Sequence, residues 1–148
     1  MPHAGLMDEA MLGPINGPLM RARLHLRGGR RRLRQGKISA GIATLYDALE
    51  SAMEAYIAVP EHKALLNMGA GDDLTNSGIL FALLVRSRAI SGSLDFAAFD
   101  ALLVRALDRE IPGYDYRDLL HAVEQTLTEL EVLPFDEASL LPEDPSTY

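Results

Sequence analysis

The apolar residues of this chain recur at spacings of three and four, and nowhere do they alternate with polar residues at a spacing of two. Only an α-helix gathers positions so spaced onto one face. That periodicity predicts an all-α protein, an up-and-down bundle of four to five helices with short connections. The first long helix runs from Leu19 to about Gln35, with Leu19, Ala22, Leu26, Gly29 and Leu33 on one face. Gly28-Gly29 weakens it by roughly 1 kcal/mol per glycine and predicts a kink there. Gly36 reads as its stop.

Lys37 to about Val59 is the clearest helix, with Ile38, Ile42, Leu45, Leu49, Ala52, Met53 and Tyr56 inward and Asp47, Glu50 and Glu54 outward. Pro60 ends it. The run Ile79–Val85 is apolar all round and reads as a buried helix starting near Asn76. Ser93 is the predicted N-cap of the next helix, whose face holds Phe96, Phe99, Leu103 and Ala106. Asp115 is the predicted cap of a last helix carrying Leu119, Leu120, Val123, Leu127 and Leu130. The expected organisation is a flexible lead-in over 1–17, a bundle over 18–133 and an extended acidic, proline-containing tail over 134–148.

A chain of 148 residues with four Phe, five Tyr and no Trp must build its core from aliphatic side chains, which suits packed helices. The absence of cysteine excludes disulfides, thiolate metal sites and cysteine nucleophiles. The opening MPHAGLMDEAML carries acids where a secretory leader carries positive charge, so a cytoplasmic location is expected. Ile79–Val85 is the longest apolar run, far short of the ~20 residues of a membrane span, and no membrane association is expected.

The net charge is −7, but it is unevenly spread: residues 1–37 carry +6 and the remainder −13. Seven arginines lie between Arg21 and Arg34, and Arg23, Arg27, Arg30 and Arg34 form a stripe at helical spacing. Guanidinium groups so placed suit phosphate or nucleic-acid contact. The plainer reading is a solvated face paired with acids of the same chain or of a partner subunit.

Elsewhere the chemistry is sparse. The loop Gly69–Asn76 holds Asp72 and Asp73 but lacks a P-loop lysine, a third glycine of a dinucleotide fingerprint and the distal glutamate of a calcium loop, so neither cofactor nor metal is predicted. His3, His25, His62 and His121 form no pair at helical spacing. His121 lies one turn beyond Arg117, where a base and a cation suit phosphodiester cleavage. Tyr46, Tyr56, Tyr114 and Tyr116 are candidates for lining a pocket or edging the core. Leu33–Ala52 has the residue spacing of one tetratricopeptide hairpin, but a solenoid needs about three copies and no second occurs.

The segment LRQGKISAGIATLYDALESAMEAYI (Leu33–Ile57) resembles the first helical hairpin of HEPN domains, with Gly36, Ala43, Tyr46 and Ala48 at the small and aromatic positions. Arg109-Glu-Ile-Pro-Gly-Tyr114-Asp115-Tyr116 is similar to the stretch before their last helix, and the resemblance spans residues 19–132. It implies a helical bundle that forms homodimers and acts either as a toxin-like ribonuclease or as the companion of a nucleotidyltransferase or antitoxin. Nuclease members carry Arg and His separated by four to six residues. Here Arg109 has Tyr114 at that spacing, and only three residues separate Arg117 from His121. The resemblance therefore favours a non-catalytic binding or accessory module. The alternative is a metal-independent ribonuclease or nucleotide-processing enzyme using Arg109, Tyr114, Arg117 and His121.

Overall fold

The computed structural model of the chain describes residues 9–148, and every regular element among them is helical. In chain order these are α1 (Glu9–Arg34), α2 (Ile38–Ala58), α3 (Pro60–Ala64), α4 (Ser77–Arg86), α5 (Phe96–Asp108) and α6 (Arg117–Glu129). Two single-turn 3-10 helices, Glu137–Ser139 and Pro145–Thr147, follow. The all-α bundle read from the periodicity is what forms, with five helices of ten residues or more and one single turn.

α2 is the axis. It packs against each of the other five helices, and most extensively against α1. Its solvent line is one residue wide: only Ala40, Asp47 and Glu54, at every seventh position, are exposed. The sequence reading of two opposed faces is thus too modest, since Ser39, Gly41, Thr44, Ala48, Ser51 and Ala55 are buried as well. Small side chains at those positions let neighbouring helices approach on several sides at once.

Gly29 and Gly41 set the distance between α1 and α2. A Cβ on Gly29 would sit 2.9 Å from Leu45 Cδ2 and 3.4 Å from the Leu45 backbone nitrogen. A Cβ on Gly41 would sit 2.6 Å from Leu33 Cδ2 and 3.2 Å from the Leu33 nitrogen. Each helix thus presses a leucine onto a bare backbone patch of the other. The predicted kink at Gly28-Gly29 does not occur: α1 is helical through both, and its one break is at Gly13 (φ 87°). Contact with α2 overrides the weak local propensity of that pair. Gly36 (φ 78°) ends α1 as expected, with its own N–H donating to Leu33 O (3.1 Å) and the Lys37 N–H to Arg32 O (2.9 Å).

The helix starts are partly as predicted. Asn76 caps α4 through Ile79 N (3.0 Å). Asp95, rather than Ser93, caps α5 by accepting from Ala98 N (3.0 Å). Leu94 and Phe99, both buried, then occupy the positions of a hydrophobic staple, which delays the helix past Ser93. Asp115 stands one residue ahead of the cap of α6 and accepts from Arg117 N (3.1 Å). The start of α2 has no cap of its own; Glu110 accepts from Ser39 N (2.8 Å), and the Ser39 hydroxyl donates to Arg109 O (2.6 Å). An aromatic cluster, Tyr46 with Phe96 and Phe99 and Phe81 against Phe96, joins α2, α4 and α5.

Two domain expectations change. Residues 9–17 belong to α1, whose Pro14 follows the Gly13 break in first-turn position; the rest of the predicted lead-in, 1–8, lies outside the described residues. Residues 134–148 do not extend away from the bundle but fold back along α1.

Gly41→Ala is expected to destabilise the protein by about 2 kcal/mol, although alanine favours a helix, because the overpacking against Leu33 outweighs the propensity gain. Urea unfolding followed by circular dichroism measures this; an unchanged or raised midpoint would count against the close approach.

Candidate functional site

The arginine stripe of α1 faces the C-terminal segment. Arg27 and Arg31 both grip the Glu143 carboxylate, Arg27 Nε at 3.3 Å, and Arg27 Nη2 also donates to Leu141 O (2.7 Å). Arg30 is held by Glu124 of α6 and by Glu137 (3.3 Å). Arg23 donates to Val132 O (3.2 Å) and its guanidinium lies 5.4 Å from the Phe135 ring centroid. Arg31 lies 4.8 Å from that of Tyr148. Arg34 remains exposed at the end of the helix. Pairing with acids of the same chain, the plainer of the two sequence readings, is therefore present in the structure.

The four residues considered for catalysis lie at the end of α5, in the connection that follows it and at the start of α6. Arg109 is exposed at the end of α5 and uses its carbonyl to anchor Ser39. Tyr114 packs against the core, where burial first and Asp115 second push its phenol above the usual range. Arg117 is turned back onto Asp115, donating from Nε (2.9 Å) and Nη2 (2.6 Å) to its two carboxylate oxygens. Hydrogen bonds from that guanidinium and from the Arg117 amide hold the Asp115 carboxyl down at about 2. His121 is exposed one turn further along α6.

The remaining candidates take structural places. Asp72 accepts from Gly69 N (2.7 Å) and pairs with Arg86 (2.8 Å), while Asp73 accepts from the Thr75 amide and hydroxyl, so the loop's acids shape the approach to α4. His62 stacks on Tyr56 (3.9 Å between centroids), sits 3.0 Å from Tyr56 O through Nδ1 and meets Glu131 at 2.8 Å. Tyr116 is the N-cap residue of α6. Among the described residues, no three His, Asp or Glu side chains gather as a metal ion requires, and no helix is long and apolar enough to cross a membrane.

A cleft of about 690 Å³ opens between α1, α2, α3 and the loop into α4. Met53, Ile57 and Leu80 form apolar parts of its wall, Arg21, Lys63, Asp47, Glu50 and Glu54 supply charges of both signs, and His25 stands beside them. Arg21 donates to Ser51 Oγ (2.9 Å) and to Glu54, and Ser77 donates to Glu50. Desolvation, and then Glu50 beside it, raise the Asp47 carboxyl against the opposing pull of Arg21. Several donors and acceptors of this lining are thus fixed against one another beside apolar surface. None of Arg109, Tyr114, Arg117 and His121 lines it. Sequence reasoning placed Asp47, Glu50 and Glu54 on the outward face of α2 but not the cleft, because Arg21 and Ser77 meet them from distant parts of the chain. The chain matches no family model, no curated protein and no solved structure.

Tyr46 is not a wall of this cleft but a core residue, 8% exposed, whose hydroxyl lies 3.2 Å from Asp100 Oδ1. Burial first, then Asp100 and Glu50, push its phenol from 10.0 up to about 12. The fold thus favours the neutral phenol, and that stabilisation, present below pH 10, is lost as pH rises toward 12. Thermal unfolding should show an alkaline loss of about 2 kcal/mol over that window that is absent from Tyr46→Phe. Identical alkaline limbs for the two proteins would contradict it.

Proposed function

We propose that the protein is a HEPN-like helical-bundle module, non-catalytic, that acts in the cytoplasm as a homodimer and serves a partner such as a nucleotidyltransferase or an antitoxin. One observation carries this reading above the ribonuclease alternative. The cation that would stabilise a phosphorane oxyanion, Arg117, is held by Asp115 rather than presented beside His121. Neither residue lines the cleft, which supplies a separate place for binding. The dimer follows from the resemblance, and Val104 and Leu107, 63% and 72% exposed on α5, supply an apolar pair for a second copy.

Two measurements test it. Purified protein incubated with tRNA and mRNA in EDTA should leave both intact; cleavage that disappears in His121→Ala would establish the ribonuclease instead. Light scattering coupled to size exclusion should give twice the chain mass for the native protein and the single-chain mass for Val104→Glu with Leu107→Glu. A native monomer would remove the dimer.

A further inference from the structure

Arg27, Arg30, Arg31 and Arg34 stand at positions i, i+3, i+4 and i+7 of α1, a single stripe roughly 10 Å long. The C-terminal segment gives that stripe, and Arg23 one turn before it, two kinds of contact. Carboxylates meet the guanidinium edges, through Glu143 on Arg27 and Arg31 and Glu137 on Arg30. Aromatic rings meet guanidinium faces, through Phe135 on Arg23 and Tyr148 on Arg31. A strand of unpaired nucleotides brings the same pair of groups, an anionic backbone and exposed aromatic bases. We propose that the arginine face of α1 binds single-stranded nucleic acid and that residues 134–148 occupy it as a built-in competitor.

The fit between tail and stripe leaves one donor unmatched, at Arg27 Nε. Two guanidinium groups share one carboxylate, and Arg27 Nε, though covered, has no aligned acceptor. A phosphate, with more oxygens in a tetrahedral array, satisfies more of those donors. Leu140 is the only fully buried side chain among the described ones of the segment, and Phe135 adds a partly buried ring against the core, so the apolar contact that opposes its release is confined to two side chains. Part of the stripe outlasts that release, since Arg30 keeps Glu124 and Arg23 keeps Val132 O. A duplex would meet the arginine edges but offer no ring to Arg23 or Arg31, which favours the single strand. This inference deepens the binding-module reading by naming a partner class, yet it does not need the family resemblance.

The test is fluorescence anisotropy of the full chain with a labelled single-stranded RNA of mixed sequence at low salt. Glu143→Gln should bind about ten-fold more tightly than the native chain, the scale of the two partly buried ion pairs it removes, and Tyr148→Ala about three-fold more tightly, the scale of one cation–π contact. The gain should fade as salt is raised. Adding Arg27→Gln and Arg31→Gln to the Tyr148→Ala chain should abolish it. A thermal melt verifies that each variant is folded; should Glu143→Gln not fold, Tyr148→Ala, whose ring is on the surface, decides alone. Equal affinity for the native and released chains, or a gain that survives loss of the two arginines, would overturn the proposal. So would competition by a duplex or a polyglutamate peptide as effective as that of the single strand. The oligomer measurement above is unaffected by either result, so failure of the two readings can be told apart.

Discussion

The closeness of α1 to α2 conditions everything else in this molecule. Gly29 under Leu45 and Gly41 under Leu33 are reciprocal contacts, each too tight for a β-carbon, and they bring the two longest helices together along their length. Once α2 is pressed so near α1, its other sides are available to α3, α4, α5 and α6, and it becomes the buried axis of the bundle. Dispersion contacts at that density are individually small and collectively large, so a backbone patch without side chains is a packing surface, not a gap.

The same contact orients the charges. With Ala22, Leu26, Gly29 and Leu33 buried toward α2, the arginines of α1 are turned to the flanks. On one flank Arg23, Arg27, Arg30 and Arg31 meet α6 and the C-terminal segment. On the other Arg21 reaches Ser51 and Glu54 at the cleft. The charge imbalance between the first 37 residues and the remainder is thus resolved within one molecule, as an attraction across a helix rather than as a basic surface. It also explains why a protein with a net charge of −7 keeps seven arginines on one helix.

Much of the fold was legible because burial leaves a periodic trace. The inward positions of α2 and the apolar run of α4 could be read from spacing, as could the stop at Gly36 and the cap at Asn76. What was not legible depended on partners remote in sequence. Gly28-Gly29 reads as weakness in isolation and as contact surface once Thr44 and Leu45 are placed beside it. Ser93 is a plausible cap until Leu94 is seen to be buried ahead of Phe96. The tail's acids are ordinary markers of an extended terminus until the arginines they meet, more than a hundred positions away, are known. At the candidate site, Arg117 and His121 share a helix turn as the spacing requires, but no spacing rule could say that Asp115 would take the guanidinium.

A tightly packed α1–α2 hairpin forms the platform, and the C-terminal segment lies on it as a separate layer held chiefly by polar contacts. Native-state hydrogen exchange of the full chain tests this most directly. The amides of α1 and α2 around Gly29 and Gly41 should exchange only through global unfolding, while those of Ser139, Leu140, Ser146 and Tyr148 should open at a much lower free energy. Protection of the segment equal to that of the hairpin, or a hairpin that opens whenever the segment does, would contradict the account.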